Sequence, residues 1–158
     1  MTDTRPDTGD AFPDIAMETP DGGLVSIKDF AGKKVVVFFY PKANTPGCTT
    51  EAKDFSALLP EFEKAGVAVL GASKDKPAAQ QKFIDKQELT VPIASDPVEN
   101  GVTDALGVWT EKKNYGRTYM GIERSTFLVG PDGKIAQVWR KVRVKGHAEA
   151  VLEAAKAL

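Results

Sequence analysis

The sequence predicts an α/β fold in which a mixed β-sheet is layered with helices. Three observations carry that expectation. Apolar runs of strand length, "VVVFFY" from Val35 to Tyr40 and "GVAVLGAS" from Gly66 to Ser73, alternate with stretches whose apolar residues recur every three or four positions. The first run is β-branched and aromatic throughout and closes on Pro41, as a central strand covered on both faces does. "RSTFLVGPDGKIAQVWR", Arg124 to Arg140, reads as two strands around the turn "GPDGK", and a hairpin here makes the sheet mixed rather than all parallel.

Taken in order, residues 1–10 are polar and punctuated by Pro6 and Gly9, which predicts a flexible tail leading to a short extended stretch at "FPDIAMET". "TPDGG" before "LVSI" predicts an N-terminal β-hairpin. After the central strand, a helix from about Cys48 to Lys64 is marked by Phe55, Leu58, Leu59 and Phe62, with Pro60 expected to kink or split it. A strand at 66–73, a helix at 76–88 and a short strand at 90–96 follow. "KKNYGRTYMG", Lys112 to Gly121, reads as a loop that leads to Arg124 and lines the entrance to a site. The final "GHAEAVLEAAKAL" is helical, with Val151, Leu152 and Ala155 on its buried side. No repeat or linker interrupts this order, so residues 1–158 are expected to form one domain.

Composition narrows the function. Lys plus Arg number 21 and Asp plus Glu 22, so the net charge of −1 offers no field for nucleic acid or anionic lipid. In the basic run "WRKVRVKGH", Trp139 to His147, Lys141, Arg143 and Lys145 alternate, which predicts the solvated face of an edge strand. The start of the chain lacks a signal-peptide pattern and no segment has the length of an apolar membrane span, so a cytoplasmic protein is expected. One cysteine and one histidine build neither an internal disulfide nor an ordinary Cys/His metal cage, and no metal or cofactor is expected.

That one cysteine lies in "YPKANTPGCTTEAKDF". The loop leaving the strand at Pro41 sits at the carboxyl edge of the sheet, where α/β proteins commonly place their chemistry. With Thr45 as N-cap, its hydroxyl accepting a first-turn N–H, and Pro46 in the first turn, Cys48 becomes the third helical residue. The positive end of the helix dipole there favours a thiolate. A free cysteine is more often a small buried hydrophobe, yet Thr45, Gly47, Thr49 and Thr50 do not look like one stripe of a core helix. Cys-x-x-Cys exchange is closed because Glu51 stands in the fourth position. His147, the one candidate base for a hydrolase, lies far away before the last helix and reads as solvent-facing or capping. An electrophile that needs no acid–base relay, such as a peroxide, fits what remains.

"PKANTPGC" matches the peroxiredoxin pattern Pro-x-x-x-Thr-x-x-Cys, and "FFYPKANTPGCTTEAKDF" with "GVWTEKKNYGRTYMGIERSTFLVGPDGKI" resembles the Q-type, or bacterioferritin comigratory, branch nearly end to end. The resemblance implies a thioredoxin-like fold and a thiol-dependent peroxidase that acts on hydrogen peroxide and alkyl hydroperoxides in antioxidant defence. It implies Cys48 as peroxidatic nucleophile, Thr45 and Arg124 as the groups that bind and polarise the peroxide, Pro41 as the shield of the sulfur, and Glu51 as the acid that orients Arg124. For Glu51, a solvated first-turn acid that merely suits the dipole is the other reading.

A lowered thiol pKa does not suffice for such an enzyme: going from about 8.5 to about 6 raises the thiolate fraction at neutral pH roughly thirtyfold. Enzymatic accelerations start near a millionfold, so most of the effect must come from the groups that hold the peroxide.

Many Q-type members carry a resolving cysteine five residues after the first, where this sequence has Lys53. The resemblance therefore implies a one-cysteine cycle in which thioredoxin, glutaredoxin or glutathione reduces the sulfenic acid from outside, in a monomer or at most a dimer. A peroxide sensor that passes its oxidation to a partner as a mixed disulfide uses the same activated thiol and remains the alternative.

Overall fold

The computed structural model describes residues 5–96 and 101–158. Strand β1 (Met17–Glu18) pairs antiparallel with β2 (Leu24–Val25), the expected N-terminal hairpin, closed by Thr19 and Gly23 through an N–H to carbonyl bond of 2.9 Å. The alternating core follows as β3 (Lys34–Phe39), α1 (Pro46–Lys64), β4 (Val67–Ser73), α2 (Pro77–Gln87) and β5 (Ile93–Ser95). After a short helix α3 (Val102–Leu106) come β6 (Trp109–Asn114), β7 (Arg117–Ile122), β8 (Ser125–Val129), β9 (Ile135–Arg140) and α4 (His147–Ala157). Among the described residues the main sheet has the order β2-β1-β5-β4-β3-β8-β9, with β3, β4 and β5 parallel and the outer strands antiparallel. This is the mixed, helix-flanked sheet of a thioredoxin-like fold with an N-terminal hairpin added at one edge.

The central strand is covered on both faces because successive side chains point to opposite sides. Val36, Phe38 and Tyr40 face α1, α2 and α4, in one apolar core with Cys48, Phe55, Phe62, Phe83 and Val151. Val35, Val37 and Phe39 face the other way, onto Phe12, Leu106, Ile122 and Phe127. Phe38 stacks on Phe55 of α1 at 4.4 Å between ring centroids, directly behind the turn that carries the cysteine. Opposite it Gly71 is required by space: a Cβ there would stand 2.5 Å from Phe38 Cζ and 2.9 Å from Ile93 Cδ1.

Several expectations are corrected. Helix α1 runs through Pro60 without splitting. The carbonyl that Pro60 leaves without an N–H donor belongs to Ser56, and it accepts the Thr90 hydroxyl at 3.3 Å, while Ser56 Oγ accepts the N–H groups of Thr90 and Val91. Lys112 to Gly121 is no loop: it forms most of the β6–β7 hairpin, a separate two-stranded sheet turning at Tyr115 and Gly116, both at positive φ. The edge strand β9 stops at Arg140, because Lys141 turns left-handed (φ 51°) and the Val142 N–H bonds to the Arg124 carbonyl. Lys141, Arg143 and Lys145 therefore lie beyond the strand rather than on its face. The five-residue helix α3 was not expected; Asp104 caps it by accepting the Gly101 N–H.

Residues 1–4 of the expected tail lie outside the described residues. From Arg5 on, the segment is bound to the body. Arg5 pairs with Glu123 at 2.9 Å, Arg140 donates to the Pro6 carbonyl at 2.7 Å, and Phe12 is buried edge-on against Phe127.

Gly71→Ala tests the packing behind the site. The added methyl must displace Phe38 or Ile93, and overpacking of this kind costs about 1–3 kcal/mol. A urea midpoint unchanged from the parent protein would contradict it.

Candidate active site

The cysteine motif is built at the carboxyl end of β3. The Tyr40 N–H donates to the Ala72 carbonyl at 3.1 Å, the chain leaves the sheet at the half-buried Pro41, and Asn44 (φ 61°) turns it back. Thr45 is extended (φ −87°, ψ 153°) and occupies the N-cap, Pro46 stands in the first turn, and Cys48 is the third helical residue, as expected. The hydroxyl of Thr45 departs from expectation. It donates to the Lys42 carbonyl at 2.8 Å instead of accepting a first-turn N–H. The Thr45 carbonyl does take part in the helix, accepting the Thr49 N–H at 2.9 Å.

Arg124 reaches this turn from the link between β7 and β8. Its Nη2 donates to Cys48 Sγ at 3.2 Å and its Nη1 to Glu51 Oε1 at 2.7 Å. The two acceptors lie three residues apart on one helix, so one planar fork spans them. Gly47 makes room for it, since a Cβ there would stand 3.2 Å from Nη2. Sequence reasoning missed that role of Gly47, whose only signal is a glycine within the first helical turn. Cys48 is 1% exposed and packed at the end of the α1 core stripe, so it is both a buried residue and the sulfur that receives the guanidinium.

Glu51 is not a solvated first-turn acid. It is 1% exposed, its Oε2 has no hydrogen-bond partner among the described residues, and burial pushes its carboxyl up to about 7 against the opposing pull of Arg124. His147 is not solvent-facing. Its ring lies edge-on to Phe55 and Trp139, its Nε2 is 2.8 Å from Thr126 Oγ1, and burial, followed by the charge of Arg124, lowers its pKa to about 4. The half-buried Lys112 on β6 has its pKa lowered by burial and by the charge of Arg124, with Cys48 pulling the other way. Among the described residues no group of three or more His, Cys, Asp or Glu could hold a metal ion.

These two titrations oppose each other. Glu51 binds its proton more tightly in the folded state, so its contribution to stability falls as pH rises from about 4.5 to about 7. His147 binds its proton less tightly when folded, so its contribution falls as pH drops from about 6.5 to about 4. In Glu51→Gln only the histidine remains, and the loss of stability between pH 7 and pH 5 in chemical denaturation is expected to steepen. An unaltered pH profile would remove Glu51 as the opposing group.

Residues 8–138 match the AhpC/TSA family. Peroxiredoxin Bcp of Xanthomonas campestris pv. campestris is 46% identical over 157 residues, covering 99% of this chain and 98% of that protein. Peroxiredoxin Bcp of Bacillus subtilis is 40% identical over 148 residues, covering 94% of each. Among solved structures, Xanthomonas campestris peroxiredoxin Q superposes with a TM-score of 0.85 at 48% identity over 90% of both chains. The bacterioferritin comigratory protein of that organism, solved as trapped intermediate and ligand complexes bearing on its alkyl peroxide reduction, superposes with a TM-score of 0.85 at 44% identity over 94% of this chain and 98% of that one. Peroxiredoxin Q has also been solved with either of two different cysteines changed to serine, whereas this chain has one cysteine. The chain belongs to the AhpC/TSA family and, within it, to the peroxiredoxins of the Q or Bcp type, which are thiol-dependent peroxidases.

Proposed function

We propose that Cys48 is the peroxidatic nucleophile of a one-cysteine cycle reducing hydrogen peroxide and alkyl hydroperoxides. The observation that carries this reading is the Arg124 fork, with one arm on the Cys48 sulfur and the other on Glu51. The thiolate attacks one peroxide oxygen, the O–O bond breaks, and the departing oxygen takes a proton and leaves as water or alcohol. Cys48 is left as a sulfenic acid. Arg124 stabilises the thiolate and the charge that grows on the leaving oxygen, because buried donors aimed at developing charge act with little screening. Thr45, its own proton committed to Lys42, accepts the peroxide O–H and sets the line of attack. Pro41 shields the sulfur from bulk water, and Glu51 keeps Arg124 oriented.

The return half-cycle follows from Cys48 being the only cysteine. An external thiol attacks the sulfenic sulfur and expels water, and a second thiol frees Cys48 from the mixed disulfide. Thioredoxin, glutaredoxin or glutathione supplies these thiols, which suits a cytoplasmic protein acting as a single domain in a monomer or at most a dimer. The alkyl peroxide reduction of the Xanthomonas relative supports the wider substrate range. No described helix is long and apolar enough to cross a membrane.

The experiment is peroxide consumption by the purified protein with glutathione plus glutaredoxin, and separately with thioredoxin plus its reductase. Turnover is expected with at least one donor and none in Cys48→Ser. Oxidation that stops at one equivalent with both donors would favour the sensor instead. Thr45→Val and Arg124→Gln are each expected to slow peroxide attack about 100-fold, the scale of losing one preorganised polar contact to a transition state. Rates within twofold of the parent would exclude those roles. With no partner cysteine on its own chain, α1 has no need to unwind during turnover. Hydrogen exchange across 48–55 should be the same in the reduced and sulfenic forms, and a sharp rise on oxidation would contradict this.

A further inference from the structure

We propose that Asp75, outside the cysteine motif, is a positioning residue for peroxide attack: through the peptide unit joining Lys42 and Ala43 it orients the Thr45 hydroxyl. The Ala43 N–H donates to Asp75 Oδ2 at 2.8 Å. The carbonyl of the same peptide unit, Lys42 C=O, accepts the Thr45 hydroxyl at 2.8 Å. A peptide unit is planar and trans, so its N–H and C=O point in opposite directions, and fixing one end fixes the other. A carboxylate accepting the N–H also polarises the carbonyl, which strengthens the Thr45 bond in turn. The hydroxyl hydrogen is thereby kept away from the peroxide, and the oxygen lone pairs are presented to it.

Asp75 is able to serve as a fixed post because it is itself held at several points. Its Oδ2 accepts the Ser73 hydroxyl at 2.8 Å, its own N–H donates to Ser73 Oγ at 3.2 Å, and its carbonyl accepts the Ser95 hydroxyl at 2.6 Å. The fully buried Gln80 donates from Nε2 to Ser73 Oγ at 3.0 Å and to the Ala94 carbonyl at 2.7 Å. These bonds tie Asp75 to the carboxyl ends of β4 and β5 and to α2, so the loop from Pro41 to Cys48 is referenced to three elements that the motif does not contain. A loop held only by its own residues has no such anchor, and a displacement of about 1 Å at a reacting group costs up to about 100-fold in rate.

This inference rests on the role of Thr45 proposed above. The test compares the second-order rate constant for hydrogen peroxide with that for alkylation of Cys48 by iodoacetamide, which needs the thiolate but no peroxide geometry. Asp75→Ala is expected to lower the peroxide constant about tenfold while alkylation stays within about twofold. Asp75→Asn, whose amide oxygen still accepts the Ala43 N–H, is expected to restore most of the loss. In a Thr45→Val background, Asp75→Ala should add little, because both changes break one relay. A parallel fall of both rates, or a full tenfold loss in the Thr45→Val background, overturns the proposal. If Asp75→Ala melts below the assay temperature, Ser73→Ala loosens the same carboxylate and must lower the peroxide-to-alkylation ratio by about threefold; an unchanged ratio overturns it equally. Absence of peroxide reduction by the parent protein would refute the proposed function instead.

Discussion

One guanidinium joins the two halves of the candidate site, and its burial makes the joint effective. Arg124 lies 76 residues after Cys48, yet its fork binds both the sulfur and Glu51 in the first turns of α1. In water an ion pair of this length is worth little, because solvent and salt screen it. Here the Arg124 side chain is 16% exposed and Glu51 1%, so losing one partner would strand the other charge in the interior. Sheet register delivers the arginine. Antiparallel pairing of β3 with β8 sets Phe39 opposite Ser125, so the residue before β8 arrives where β3 ends and the cysteine loop begins. The Val142 N–H then holds the Arg124 carbonyl in place.

The same burial organises the ionisable groups around the arginine. Glu51 and His147 are both driven toward their neutral forms, the acid upward and the base downward. His147 packs at an edge of the core, between Phe55 and Trp139. Arg124 is the cation bonded to the sulfur, and its charge adds to burial in lowering the pKa of Lys112.

A chain with one cysteine dispenses with the internal partner that would demand movement of α1. That helix is anchored along its whole length. Cys48, Ala52, Phe55 and Phe62 form a continuous buried stripe, Phe55 stacks on Phe38, and the site of Pro60 is completed by Thr90. The loop before it is braced as well, from Asp75 at the neighbouring strand ends. Anchoring on both sides of the sulfur suits the proposed cycle, in which the reductant comes to the thiol.

Local pattern was legible in the residues themselves. The β-branched run of β3, the period of α1 and α4 and the hairpin around "GPDGK" all follow from side-chain shape and spacing. So does the third-residue place of Cys48, which Pro46 and Thr45 set at the helix start. Arg124 and Glu51 entered through family resemblance, since no spacing rule links positions so far apart in the chain. What the sequence by itself determined is therefore the strand and helix order and the chemistry-bearing turn, which depend on neighbours within a few residues. Only the folded structure decided the rest: that "KKNYGRTYMG" pairs as a hairpin, that the Thr45 hydroxyl donates to the Lys42 carbonyl, that Glu51 and His147 are buried, and that Asp75 accepts the Ala43 N–H. The burial of Glu51 and His147 and the bond to Asp75 depend on partners brought close by packing, with the loss of water that packing causes; the hairpin and the Thr45 bond are local, but side-chain pattern alone does not select them.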